Sequence, residues 1–210
     1  FLINKNIKSF IQIGSSGEYG KIKSPQKENS IGTPKSFYTR AKFMATNHLL
    51  KLYKKKQFPV TILRLYQAYG PKQDINRFIP IVVYACINKK TFDCSDGNQF
   101  RDFIHVKDVV ASILRAIKNS KARGEILNIG TGKPKKIKNI INFLVKRLKG
   151  GKPIFGKIKL RSDEMKKIYP DLTKVKKILK WSPKIRFAKG LEETVKYYEK
   201  NKNNLSKMHK

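Results

Sequence analysis

Three short apolar runs, each closed by a glycine turn and spaced by helix-length segments, constrain this chain more than any other feature. Ser9-Phe10-Ile11-Gln12-Ile13 ends in Gly14-Ser15-Ser16-Gly17. The β-branched run Pro59 to Tyr66 leads into Tyr69-Gly70-Pro71, and Ile126-Leu127-Asn128-Ile129 ends in Gly130-Thr131-Gly132. Short β-rich runs bounded in this way read as buried strands. Between the first two, residues 36–54 place Phe37, Ala41, Met44, Ala45, His48, Leu49 and Leu52 at helical spacing. The same period predicts helices over 79–88, 106–119, 137–148, 171–179 and 190–199, with a loop over 93–100. Strands alternating with such helices build βα units on a parallel sheet.

Composition narrows the class. Hydrophobic residues make up 40% of the 210 positions, enough for a packed core and too many for a disordered chain. No run nears the ~18 apolar residues of a membrane span, and the opening Phe1-Leu2-Ile3-Asn4-Lys5 lacks a signal-peptide pattern. Two cysteines, Cys86 and Cys94, make no disulfide framework, and three separated histidines give no metal-ligand spacing. The expectation is a cytoplasmic protein with no metal. The formal net charge of +34 invites a nucleic-acid reading. Yet 39 of the 48 basic residues are Lys and 9 are Arg, and they are spread over the whole chain. Base and phosphate readers favour the planar fork of Arg, so the charge reads as solvated surface and no specific nucleic-acid partner is expected.

The chemistry-bearing pattern is Tyr38-Thr39-Arg40-Ala41-Lys42. Residues four apart share a helix face. An ammonium beside a phenol favours the phenolate and brings a tyrosine towards proton transfer at neutral pH. A hydroxyl at the end of the preceding strand, Ser15 or Ser16, is placed to hydrogen-bond a reacting oxygen. On its own the pattern is weak, and a helix with one packed Tyr and one solvated Lys would show it too.

Further motifs stand in a fixed order. Gly14-Ser15-Ser16-Gly17-Glu18-Tyr19-Gly20 is followed by Tyr38 to Lys42, then Leu63-Arg64-Leu65-Tyr66-Gln67-Ala68-Tyr69-Gly70-Pro71 and Arg77-Phe78-Ile79-Pro80. Next come Asp96-Gly97 with Arg101 to Asp108, Asn128 to Gly132, and Trp181-Ser182-Pro183 with Gly190-Leu191. In this order, from Phe10 to about Tyr198, the chain resembles the extended short-chain dehydrogenase/reductase family, in its NAD-dependent epimerase/dehydratase branch acting on nucleotide sugars. The resemblance implies an α/β fold: the C-terminal part of a Rossmann-type doubly wound parallel sheet plus a small α/β substrate-binding lobe. The expected division is 1–75 with 101–130 for the sheet, 76–100 with 131–199 for the lobe, and a polar tail over 200–210.

The resemblance also implies roles. Tyr38 is the general acid/base and Lys42 its partner at the nicotinamide ribose of NAD or NADP. Ser15, with Ser16 beside it, is the catalytic hydroxyl. Gln67, where the family usually has Asn, lies near the nicotinamide and the sugar nucleotide. Arg77, Arg101 and Arg161 bind the nucleotide-diphosphate sugar. A homodimer is a family-level expectation. Asp102, His105 and Asp108 read as shaping a turn and a helix start, and Trp181 and Pro183 as bracing a turn.

Two departures matter. Gly14, Gly17 and Gly20 imitate a dinucleotide loop, but such a loop opens directly into a helix that holds the pyrophosphate. Here Lys21-Ile22-Lys23-Ser24-Pro25 follows, so these glycines read as the serine-bearing loop. At about 30 residues per βα unit, roughly a hundred residues of Rossmann sheet lie outside the chain, which then reads as a fragment or one part of a split protein. The family's 4,6-dehydratases place an acid two positions after the catalytic hydroxyl, where a gapless match finds Gly17. An epimerase or 4-keto reductase is therefore expected; a dehydratase using Ser16 and Glu18, or an inactive remnant, are the alternatives.

Overall fold

The structure is a computed structural model that describes residues 2–160 and 164–202. In chain order it contains β1 (Phe10–Ser15), α1 (Phe37–Lys56), β2 (Val60–Leu65), β3 (Gln67–Tyr69), α2 (Phe78–Ile87), β4 (Thr91–Asp93), β5 (Phe100–Arg101) and β6 (Phe103–His105). There follow α3 (Val106–Ile117), β7 (Ile126–Ile129), β8 (Lys135–Lys136), α4 (Ile137–Leu148), β9 (Lys152–Ile154), β10 (Lys167–Ile168), α5 (Thr173–Leu179) and α6 (Phe187–Lys200).

The central sheet has the order β1-β2-β7 and is parallel throughout, with Ile13 opposite Leu63 and Leu63 opposite Leu127. The middle strand β2 is buried from Val60 to Arg64, as a parallel strand covered on both faces must be. Alternation of side chains assigns the faces. Val60 and Ile62, with Phe10, pack against Leu49, Leu52 and Tyr53 of α1. Leu63 and Leu65, with Ile11, pack with Val109 and Ala116 of α3. The two helices therefore cover opposite faces. A separate core joins α2, α4 and α6 through Val83, Ile141, Leu144, Leu191 and Val195.

This is the α/β arrangement the sequence leads one to expect, and its three long strands are the three apolar runs. Among the described residues seven further strands of two or three residues were not expected, β3 one residue after β2 among them. A pair such as Phe100–Arg101 shows no alternation, so only its partners define it: β5 lies between β10, parallel, and β8, antiparallel. Helix ends also move. α5 begins at Thr173 because Asp171 accepts the Thr173 N–H at 2.7 Å. α6 begins at Phe187, three residues ahead of the expected start.

Between β1 and α1 the chain runs through a four-residue 3-10 turn, Ser16–Tyr19, and then a long irregular segment. The segment folds back on the turn so closely that glycine is required at both crossing points. A Cβ on Gly32 would meet the Tyr19 carbonyl oxygen at 1.7 Å, and one on Gly20, whose φ is 57°, would meet that of Thr33 at 2.2 Å. Gln26 pins the segment's middle to the far end of the chain: its N–H donates to Tyr169 O and its carbonyl accepts from Asp171 N, each at 2.9 Å.

Candidate functional site

The serine turn is built on β1. Ser15 ends the strand and caps the 3-10 turn, its Oγ accepting the Gly17 N–H at 3.1 Å. One acceptor position of the hydroxyl is thereby used, and its proton remains free to be donated elsewhere. The turn is held from beneath by Glu18. This carboxylate is fully buried and accepts Ser15 N–H at 2.8 Å, the Thr46 hydroxyl at 2.8 Å and Arg64 Nε at 3.1 Å. Arg64 lies over the Tyr19 ring at 4.4 Å, and the Tyr19 hydroxyl donates to Asn128 at 2.8 Å. Burial pushes the Tyr19 phenol up to about 12, so it stays neutral and serves as a donor. Asn128 in turn donates to the Gln26 carbonyl at 2.9 Å, and Tyr66 donates to the Gln26 side chain at 2.9 Å.

α1 carries the tyrosine and lysine and starts beside this turn. Ser36 sets the helix start by accepting Thr39 N–H at 3.2 Å, which places Tyr38 in the first turn. Lys42, one turn on, extends its Nζ to the Ile13 carbonyl on β1 at 2.9 Å and lies 5.8 Å from the centre of the Tyr38 ring. The helix start and the serine turn touch: a Cβ on Gly17 would meet Thr39 Cγ2 at 2.5 Å. The start of α1, which carries Tyr38 and Lys42, thus lies beside Ser15 at the C-terminal end of β1, the end of a parallel sheet where ligands bind. Ser16 opens the 3-10 turn beside Ser15.

A cavity of about 460 Å³ opens on the lobe side. Phe78, Phe92, Phe103 and Ile141 are among its apolar walls, and Gln67, Arg101 and Glu164 line it as well. A smaller cleft of about 110 Å³ lies between the serine turn and the start of α1, with Gly17, Ser36 and Thr39 on its walls. Glu164 lines both. Arg101 is buried, donating from Nη1 to the Phe100 carbonyl at 2.7 Å and from Nη2 to Glu164.

The remaining expected residues fall out differently. Arg77 is the residue before α2, is exposed, and does not line either space. Arg161 lies outside the described residues. Asp102, His105 and Asp108 act as braces, as the sequence suggests. Asp102 accepts the N–H groups of Thr131 and Lys133 at 2.7 and 3.1 Å, and Asp108 accepts those of Lys184 and Ile185 at 3.0 Å each. His105 caps α3, accepting Lys107 N–H at 3.3 Å. Glu18, the acid of the dehydratase alternative, is saturated by protein donors below the turn. Sequence reasoning missed Glu164 altogether, because an ion pair spanning 63 residues leaves no periodic trace. Among the described residues no three His, Cys, Asp or Glu side chains converge as a metal site requires.

The profile of the NAD dependent epimerase/dehydratase family matches residues 2–130. UDP-glucuronate 4-epimerase of Thermodesulfobacterium geofontis is 29% identical over 201 residues, which is 93% of this chain and 60% of that protein. UDP-glucose 4-epimerase of Thermotoga maritima, solved with UDP-glucose, superposes with a TM-score of 0.87 at 28% identity, over 95% of this chain and 66% of that one. dTDP-glucose 4,6-dehydratase of Bacillus anthracis, solved with NAD, gives 0.84 at 27% identity, over 94% and 64%. The chain spans about half to three fifths of the length of the curated relatives it matches.

Proposed function

This chain belongs to the NAD dependent epimerase/dehydratase family, and we propose that it is the catalytic and substrate-binding part of an NAD(P)-dependent nucleotide-sugar epimerase or 4-keto reductase. The observation that carries the reading is the seating of the start of α1, which bears Tyr38 and Lys42, against the Ser15 turn, through Lys42 on the Ile13 carbonyl and Thr39 against Gly17. The relatives solved with a nucleotide sugar or with NAD share this fold over nearly the whole chain.

The donor set suits the nicotinamide end of the cofactor. Lys42 keeps two N–H groups beyond the one it gives to Ile13, and Gln67, which opens β3, stands on the cavity wall. The glycine loop after β1 passes into a 3-10 turn instead of a helix, so the fit extends to the nicotinamide ribose and not to the pyrophosphate. When bound, NAD(P) supplies the hydride acceptor and donor. Tyr38 takes the proton of a sugar hydroxyl as the adjoining carbon is oxidised and returns it on reduction. Ser15 donates its free hydroxyl proton to the same oxygen. The apolar cavity takes the nucleoside. Arg101 on the cavity wall, and Arg161 by resemblance, are assigned to the diphosphate, chemistry suited to a guanidinium fork. In this reading 1–75 with 101–130 form the sheet part and 76–100 with 131–199 the substrate lobe.

A homodimer through α1 is part of the proposal. Phe37, Met44 and Tyr38 are 91%, 69% and 61% exposed on that helix. Analytical ultracentrifugation should show a dimer that Phe37→Ser with Met44→Ser converts to monomer.

The test of the reaction is Tyr38→Phe in the whole protein, assayed on a panel of nucleotide sugars with product analysis. Turnover should fall by about 100-fold or more, the scale of general acid–base catalysis. Unchanged turnover on the true substrate removes the assignment. Accumulation of 6-deoxy-4-keto sugars would mark a dehydratase.

A further inference from the structure

We infer that Glu18 is a positioning residue that sets the Ser15 hydroxyl in register with Tyr38 and Lys42; the inference rests on the proposed roles of those three. Five observations lead to it. The carboxylate is fully buried, so it touches neither cavity. Its oxygens join three separate elements: Ser15 N–H at the end of β1, the Thr46 hydroxyl on α1, and Arg64 on β2. Thr46 lies four residues beyond Lys42 and eight beyond Tyr38, so the three side chains share one stripe of α1. The stripe is fastened to the sheet at two successive turns, by Lys42 on Ile13 and by Thr46 on Glu18. The neighbouring residue is fitted to the same bond: a Cβ at Gly14 would meet Glu18 Oε1 at 2.6 Å.

Geometry gives this arrangement its consequence. The apolar packing of α1 on the sheet begins at Leu49, so its first turns, if held only by a long lysine side chain, could still rotate or slide by a fraction of an ångström. A second tether through two short bonds to a rigid, doubly buried ion pair removes that freedom. The distance from Ser15 to Tyr38 is then set by Glu18, from a position behind the reacting groups. A misplacement of about 1 Å costs on the order of 100-fold in rate when reacting groups must meet in one geometry.

Glu18→Asp is the informative variant, because it keeps the charge beside Arg64 while shortening the reach by one methylene. In the whole protein kcat should fall by roughly 10- to 100-fold, with KM within about twofold of wild type. Thr46→Val, which loses the hydroxyl and leaves the ion pair intact, should lower kcat in the same sense, and Thr46→Ser should restore it. Wild-type kcat in both Glu18→Asp and Thr46→Val, with Tyr38→Phe inactive, overturns the inference. An active Tyr38→Phe overturns instead the catalytic reading on which it rests. A second readout needs no turnover and uses this chain as it stands. Amide hydrogen exchange in Glu18→Asp should quicken at Ser15 and Gly17 by about tenfold or more while α4 keeps its protection, the signature of local opening. Unchanged exchange at both amides overturns the inference whatever the activity.

Discussion

The sheet side and the lobe side of this molecule are finished to different degrees. In the lobe, α2 buries Ile79, Val82, Val83 and Cys86, and α4 buries Ile137, Ile140, Ile141 and Leu144, all in one core with α6. On the sheet side α1, though 20 residues long, has Thr46 as its one buried residue. β1 pairs with β2 along one edge and carries an exposed Ile13, while β2 is buried on both faces. Below the sheet, Val106, Val110, Leu114 and Ile117 leave an exposed apolar stripe on α3 at spacings of four, four and three. Parallel strands are ordinarily covered on both faces. The contrast teaches that α2, α4 and α6 are held by one shared apolar core, while the first half of α1 rests on polar tethers, Lys42 to Ile13 and Thr46 to Glu18, with apolar packing on the sheet only from Leu49 on.

Four measurements break or sharpen this contrast, from the largest effect down. Leu144→Ala, at a fully buried position of the α2–α4–α6 core, should cost about 2–5 kcal/mol in chemical denaturation; a loss below about 1 kcal/mol would deny that this core is tightly packed. Asp108→Ala removes the acceptor of two backbone N–H groups on the segment that leads into α6. Leaving those donors unmet should cost about 1–3 kcal/mol, and a neutral result would show that the brace is idle.

The third is a pH dependence. His105 is buried between sheet and lobe, edge-on to Tyr69 at 5.4 Å. Burial holds its imidazole below the ordinary value of 6.5, against the smaller upward pull of Glu193. The unfolded chain therefore takes up a proton near pH 6.5 while the folded chain stays neutral. Stability is full above that pH and is lost as the pH falls through it towards the folded value. Denaturation midpoints should be lower at pH 6.0 than at 7.5, and His105→Asn, which keeps a capping acceptor, should flatten the difference. The smallest effect belongs to the α3 stripe: Leu114→Ser should change stability by no more than about 0.5 kcal/mol, as at other surface positions. A loss comparable to that of Leu144→Ala would end the contrast.

Much of this was legible beforehand, for reasons that particular residues show. α4 spans the predicted residues, Ile137–Leu148, because its apolar positions repeat at the helical period. α1 and the strands at Phe10, Val60 and Ile126 are long enough to show a period or an unbroken apolar run. The pairing of Tyr38 and Lys42 on one helix was legible because a helix fixes the geometry of residues four apart. β3, β5 and β6, at two or three residues each, were missed because they are strands only by virtue of their partners. Glu18 was visible as an acid near the serines, yet its role was not, since Arg64 lies 46 residues away.

By itself the sequence determined the repeating elements, the glycine-closed strands and the spacing of Tyr38 and Lys42, because each depends on backbone geometry within a few residues. Tertiary structure alone decided which side chains reach solvent and which brace the fold. It turned Glu18 inward, paired Arg101 with Glu164, left Arg77 outside the cavity, and set Ser15 beside α1. These are contacts between residues tens of positions apart. They form only when the chain closes on itself, and no local period records them.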